Sequence, residues 1–431
     1  MATAARAASS AAERSSSHVA LYGLVVAAGT GSMATEICAS RLLAPYFGSS
    51  TVVWSNVIGL VLASLAVGYW LGGRIADSRP SRRVLGALVL AGAVAVAVVP
   101  FAARPLLDVS VGALDRLSAG ALVGSFFASL LLFAPPVVLL GTVAPFAIRL
   151  GIEDVDRAGE VAGRIFALST AGSLAGTFLP ALVTIPLVGT QRTLLGAAVL
   201  AALGGALVLG PRWLVLAAAL AVLAALPPGV VKASNGLLYE AESPYQFIQV
   251  VQDGPARRLY LNEGVATHSV WRPDTVLTGD EWDMFLAVPP LLGRPVERVA
   301  VLGNAGGTTA RAYGVYFPRA RIDGVELDPA VSAAGRRFLG LGSNPRLHVV
   351  TADARPFLRR SHDRYDLILV DAYRQPYVPF YLATQEFFEL ARSRLAPGGI
   401  LALNVATVPG DHRLAQGIAG TLATVFPQVG T

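Results

Sequence analysis

Val299-Ala-Val-Leu-Gly-Asn-Ala-Gly-Gly-Thr308 decides the fold: a short apolar strand runs into a glycine-rich turn and then into a helical stretch. That is how a doubly wound α/β sheet opens. Glycine in such a turn lets a nucleoside come close to the backbone, and the helix N-terminus offers N–H groups to polar ligand atoms. Gly306, Gly307 and Thr308 are therefore candidate contacts, although a tight strand-to-helix turn without a ligand would look the same. The following strands supply the acids. Val325-Glu326-Leu-Asp328 puts Glu326 about 20 residues past the turn, where a carboxylate accepts hydrogen bonds from both ribose hydroxyls. Thr351-Ala-Asp353-Ala354 ends a third strand with an acid suited to the exocyclic amine of adenine, and Leu367-Ile-Leu-Val-Asp371 sets Asp371 at the carboxyl edge of a fourth.

Working outward, the rhythm predicts strands at 298–302, 321–326, 347–350, 366–370 and 399–404, with helices near 308–316, 328–338, 384–395 and 411–425. Phe247-Ile-Gln-Val-Val251 and Arg258-Leu-Tyr-Leu261 flank Asp253-Gly254-Pro255 and read as a hairpin, so a small β-subdomain over 235–294 precedes the sheet domain at 295–431. After 411–425 the chain stops near the opening of another strand, and the sheet domain is expected to be C-terminally incomplete.

The N-terminal half has another character. The chain is 54% hydrophobic and 14% charged, with a mean hydropathy of +0.57, which points to membrane. Apolar runs at 19–43, 52–73, 84–103, 121–148, 161–188, 191–209 and 213–228 predict a transmembrane domain of six or seven helices over 18–228. Residues 1–17, Ala/Ser-rich with Arg6 and Arg14, read as a disordered cytoplasmic tail. That basic tail and Arg74, Arg79, Arg82 and Arg83 mark the inner face. Seven simple spans would put the C-terminal domain outside. A short last run lying in the interface, or a break at Pro135-Pro136, restores an even count and a cytoplasmic domain.

Composition also excludes. Cys38 is the only cysteine, so there is no disulfide framework and no cysteine-based metal site. His268, His348 and His362 lack ligand spacing, and no metal is expected. The formal charge of +6 comes without a basic stripe, so nucleic acid is not an expected partner. Glu36, five residues before Arg41, is a carboxylate inside an apolar run: either a functional group or a partner of Arg41 or a neighbouring helix.

The order Ser243-Pro-Tyr245-Gln246, Leu261-Asn-Glu-Gly-Val265, Gly306-Gly307, Val325-Glu326-Leu-Asp328-Pro329, Asp353-Ala354, Val370-Asp371 and Leu395-Ala-Pro-Gly-Gly-Ile400 resembles spermidine synthases over roughly 240–410. Ser40-Arg-Leu-Leu-Ala-Pro-Tyr-Phe-Gly48 and Gly68-Tyr-Trp-Leu-Gly-Gly-Arg-Ile-Ala-Asp77 look like the membrane-fused branch of that family. The resemblance implies aminopropyl transfer from decarboxylated S-adenosylmethionine to a polyamine nitrogen. By it Glu326 would hold the ribose, Asp353 and Ala354 the adenine, Gln246 the thioether end, and Asp371 would be the general base. An ammonium of pKa near ~10 needs such a base before it can attack. Tyr373, Arg374 and Tyr377 would form the substrate loop. In departure from the family, Thr308 and Arg374 stand where typical members have Asp, and Glu281-Trp282-Asp283 stands for Tyr-His-Glu. Loss of an acid at 308 would admit intact S-adenosylmethionine, so a methyltransferase is an alternative. A transporter or sensor with a non-catalytic nucleoside or polyamine site is another. Expected partners are an amine substrate and the lipid bilayer, and a homo-oligomer is compatible with all three readings.

Overall fold

The computed structural model describes the chain except residues 1, 49, 118–120, 153, 227–228, 265, 374–377, 408–409 and 431, and the side chains of 1–17 and 111–122. It divides into two compact units: 1–233 with 242–247, and 234–241 with 248–431.

The first unit is helical: α1 (Ala2–Phe47), α2 (Thr51–Ser78), α3 (Arg82–Leu117), α4 (Ala121–Gly141), α5 (Val143–Gly151), α6 (Ala158–Leu179), α7 (Ile185–Val188), α8 (Thr190–Leu209) and α9 (Leu214–Ala225). Among the described residues, six helical stretches are long and apolar enough to cross a membrane: His18–Phe47, Thr51–Ser78, Arg82–Ser110, Val123–Gly151, Val155–Val188 and Thr190–Leu209. Their packing explains the glycines. Gly68 and Gly72 of α2, one turn apart, lie against α4 and Thr142, and a Cβ on Gly72 would sit 2.4 Å from the Thr142 carbonyl oxygen. Gly172 and Gly176 of α6 do the same against Val26 and Thr30 of α1, where the Thr30 hydroxyl donates to the Gly172 carbonyl at 3.0 Å. Small residues four apart lie on one helix face and let backbones touch.

Three expectations change here. The backbone of residues 2–17 continues α1 instead of forming a disordered tail, because alanine is the best helix former and extension of a nucleated helix costs little. Pro135-Pro136 does not break its helix: α4 passes through both prolines, and the chain breaks at Thr142, where Gly72 presses closest. Finally, the last apolar run forms a short helix within the bundle. The 12-residue α9, about 18 Å long, packs back along α8, and an Arg192 guanidinium N–H reaches the Leu226 carbonyl at 3.5 Å. Lys232 then donates to the Pro45 carbonyl at 2.6 Å and the Tyr46 hydroxyl to the Val231 carbonyl at 2.8 Å. The chain thus leaves this unit where α1 ends, at the opposite end from the Arg74–Arg83 turn.

The second unit begins with a four-stranded sheet in the order β1 (Leu237–Glu242), β2 (Phe247–Asp253), β3 (Ala256–Leu261), β4 (Thr267–Trp271). The hairpin forms as expected, with Asp253 opposite Ala256 across Gly254-Pro255. Two 3-10 stretches, Glu281–Ala287 and Pro289–Leu292, lead into β5 (Arg298–Leu302), α10 (Thr308–Tyr316), β6 (Arg321–Glu326), α11 (Pro329–Phe338), β7 (Leu347–Thr351), α12 (Ala354–Arg360), β8 (Tyr365–Val370), α13 (Gln385–Arg394), β9 (Leu395–Leu403) and α14 (Arg413–Ala423). Their strand order, β7-β6-β5-β8-β9, is parallel throughout. The order reverses beside β5, so the crevice at its carboxyl end is where such sheets take ligands.

Candidate functional site

The turn after β5 is compressed from two sides. A Cβ on Gly303, whose φ is +91°, would lie 2.5 Å from the Asp371 carbonyl oxygen, and one on Gly306 would lie 2.4 Å from the Leu339 side chain. Glycine here is first a packing requirement, which lets the ends of β5 and β8 converge and seats the turn against α11. The Gly306 N–H donates to the Ser269 hydroxyl at 2.8 Å, so β4 of the small sheet holds the turn.

Glu326 closes β6 against that turn. Its carboxylate accepts from the Ala305 N–H at 3.0 Å and the Asp328 N–H at 2.9 Å. Burial, which disfavours the charged form, pushes its pKa up to about 7, with these backbone bonds opposing. Each oxygen keeps a lone pair for a ligand hydroxyl. Asp353 caps α12 by accepting from the Arg355 N–H at 3.0 Å, and its other oxygen accepts from the Tyr381 hydroxyl at 3.1 Å. Ala354 is buried as the first residue of α12. Three adjacent strand ends thus carry the turn, Glu326 and Asp353 side by side.

Asp371, on the other side of β5, is held at both oxygens. The Asn404 amide donates to one at 2.9 Å and the Trp282 indole N–H to the other at 2.9 Å. Burial raises its pKa to about 7; the two donors oppose the shift and the charge of Glu281 adds to it. A carboxylate that titrates near neutrality on a fixed bearing is suited to accept a proton. Trp282 and Asn404 are the residues that sequence reasoning missed. Trp282 is visible in the Glu281-Trp282-Asp283 departure, while Asn404 gave only the signal of following the last strand.

Other expected residues stand elsewhere. Thr308 is 2% exposed, and its hydroxyl accepts from the Val270 N–H at 2.9 Å and donates to the Val270 carbonyl at 3.2 Å. It fastens α10 to β4, with its hydroxyl both accepting from and donating to Val270. Arg311 joins it, donating to the same carbonyl and to that of Leu339, both at 2.8 Å, while burial holds its pKa down to about 10. Asp283 accepts from the Thr278 and Gly279 N–H groups and closes a turn. The Tyr373 hydroxyl accepts from the Ala406 N–H at 2.6 Å, and burial pushes its pKa up to about 12. Arg374 and Tyr377 lie outside the described residues. Gln246 belongs to the segment grouped with the helical unit. There Glu242 accepts from the N–H and hydroxyl of Thr190 at the start of α8, and Arg41 donates to the Ser243 and Pro244 carbonyls at 3.2 and 2.7 Å. Arg41 thus binds this segment.

Fold and site together define a doubly wound α/β domain with acidic side chains at the carboxyl ends of its strands. Residues 283–431 match the spermine/spermidine synthase domain, and the C-terminal part of this chain carries that domain. A probable polyamine aminopropyl transferase from Bifidobacterium longum is 36% identical over 194 residues, 44% of this chain and 43% of the relative. Polyamine aminopropyltransferase 2 of Streptomyces coelicolor is 30% identical over 328 residues, 66% of this chain and 56% of the relative. The chain thus spans about half the length of these curated relatives. Among solved structures, a probable spermidine synthase from Corynebacterium glutamicum aligns with a TM-score of 0.38 at 22% identity, covering 45% of this chain and 72% of that one.

Proposed function

We propose that the C-terminal domain is a polyamine aminopropyltransferase that uses decarboxylated S-adenosylmethionine, with Asp371 as its general base. The supporting observation is that carboxylate: buried, near neutral in pKa, fixed by Trp282 and Asn404, and beside the turn that Glu326 braces. An amine nitrogen attacks the aminopropyl carbon bonded to the sulfonium. The carbon–sulfur bond breaks, its electron pair leaves with methylthioadenosine, and the proton lost from nitrogen goes to Asp371. Glu281, whose charge reaches Asp371, adds to a negative locus that suits a cationic acceptor. Glu326 holds the ribose and Asp353 the adenine.

Among the described residues the turn 303–308 carries no acidic side chain, so an intact α-carboxylate would meet no repulsion there. This favours methyl transfer from S-adenosylmethionine as the second reading. Calorimetric titration with S-adenosylmethionine, its decarboxylated form and methylthioadenosine, followed by mass analysis of amine products, separates the two. Absence of methylthioadenosine release with every di- and polyamine offered would sink the first.

The helical unit is proposed as a multi-pass membrane anchor, supported by its six long apolar helices and by exposed Leu62, Phe127 and Leu182. A nucleoside of cytosolic origin puts residue 232 and the domain it leads to on the cytoplasmic face, and hence the Arg74–Arg83 turn on the outer face. Retention of arginine inside favours the reverse. Single cysteines at Ser234 and Ser361 in a Cys38→Ser chain, probed on intact cells with an impermeant maleimide, decide it. Labelling from outside would remove the cytoplasmic placement.

A further inference from the structure

We propose that the cavity at the end of the helical unit where α8 begins and α9 finishes holds an anionic phospholipid, its phosphate on Arg192 and its acyl chain on the apolar walls. The cavity is about 580 Å³, within the range of small-molecule sites. Phe101 of α3, Leu195 of α8, and Leu223 and Leu226 at the end of α9 make its walls apolar, while Arg104 and Arg192 supply charge.

Charge and pairing select the ligand. Asp108 is the only carboxylate in the lining, and it lies 3.8 Å from Arg104, one turn away on the same helix. Arg192 has no carboxylate among the described residues. One guanidinium N–H makes the long contact to the Leu226 carbonyl, and its Nε is buried with no acceptor. A buried charged donor without an acceptor is unfavourable until an anionic oxygen reaches it. A polyamine is the wrong sign, because two guanidiniums face one carboxylate that is already shared. Free phosphate would satisfy Arg192 but leave the apolar walls unfilled, whereas a lipid phosphate brings a chain to cover them. The same end of the unit holds the first turn of α8 and the chain exit, the level at which headgroups sit if the helices cross a bilayer.

The inference rests on the membrane reading and fails separately from it: a chain that stays soluble without detergent and ignores vesicles would remove the anchor itself. The test uses the full chain in bilayer discs of phosphatidylcholine with and without phosphatidylglycerol, reading retained lipid by native mass spectrometry. Phosphatidylglycerol should be retained about tenfold over phosphatidylcholine, because both lipids bring the phosphate but choline adds a cation beside Arg104 and Arg192. Arg192→Gln should abolish that preference and Arg192→Lys keep most of it. Should Arg192→Gln fail to fold, Leu226→Trp, at a half-exposed position, fills the mouth and should displace the lipid with the charges intact. Equal retention of both lipids, an unchanged preference in Arg192→Gln or Leu226→Trp, or equal thermal protection by inorganic phosphate would each overturn the proposal.

Discussion

The helical unit and the sheet unit both bury large apolar side chains, Phe133 and Phe146 in the first as Tyr313 and Phe387 in the second, but they join their elements differently. In the first, Gly72, Gly172 and Gly176 meet backbone across helices, while Leu62, Phe127 and Leu182 face outward. In the second, Tyr313, Tyr365, Phe387 and Phe388 are buried and the polar residues are mostly outside. The contrast teaches how each unit joins its elements. Strands are joined by the hydrogen bonds of the parallel ladder, whereas helices, which satisfy their own backbone groups, are joined by close contact at small residues. Charge does not divide in the same way, since Glu242 of the helical unit also accepts from an N–H, that of Thr190. The sheet unit buries two carboxylates near neutrality, Glu326 and Asp371, and each has N–H donors fixed on its oxygens.

The sharpest break is Asp371→Asn. Loss of the base should lower the transfer rate by roughly 10²–10⁴, measured as methylthioadenosine release, with the fold retained. The wild-type rate should rise with pH through about 7, since the base works deprotonated. Stability should move the other way. Between the unfolded carboxylate range and about 7 the native state binds more protons than the unfolded chain, so stability falls as pH rises. Asp371→Asn should flatten that fall in chemical denaturation across pH. A wild-type rate indifferent to pH between 6 and 8, or an active Asn variant, would remove Asp371 from the chemistry.

Thr308→Asp separates a packing role from a selectivity role. A carboxylate cannot donate to the Val270 carbonyl and would be buried, so the sheet unit should lose roughly 2–4 kcal/mol, read as a drop in its unfolding midpoint. A stable variant with altered nucleoside preference would restore the ligand-facing role expected from sequence.

Gly72→Leu tests the other side of the comparison. With the Thr142 carbonyl 2.4 Å from the new Cβ, overpacking should cost about 1–3 kcal/mol or more. That loss should appear in the helical unit while nucleoside binding persists. Loss of binding together with the helices would mean that the units do not fail independently.

Glu326→Ala acts on the sheet unit's site and leaves the packing of both units in place. Nucleoside affinity should weaken by about 1.5–3 kcal/mol, the worth of hydrogen bonds to a charged group, checked by calorimetry. Unchanged affinity would take Glu326 out of the site.

Sequence alone determined the elements whose residues act through local pattern. Alternation over 247–261, apolar runs bounded by glycine over 298–326, and long uncharged stretches before 210 gave strands, hairpin and helices, because periodicity and span length follow from backbone geometry. The acids Glu326, Asp353 and Asp371 were legible too, since a strand's last residue falls at the sheet edge wherever the strand runs. What only the tertiary structure decided depended on partners distant in the chain. Asn404 and Trp282 converge on Asp371 from 33 and 89 residues away. Thr308 bonds Val270, and Arg41 meets the 243–244 carbonyls. The short α9 turns the chain out at the end where α1 stops. Hydrogen-bonding partners and helix direction are set by packing in three dimensions, and no local period of the sequence encodes them.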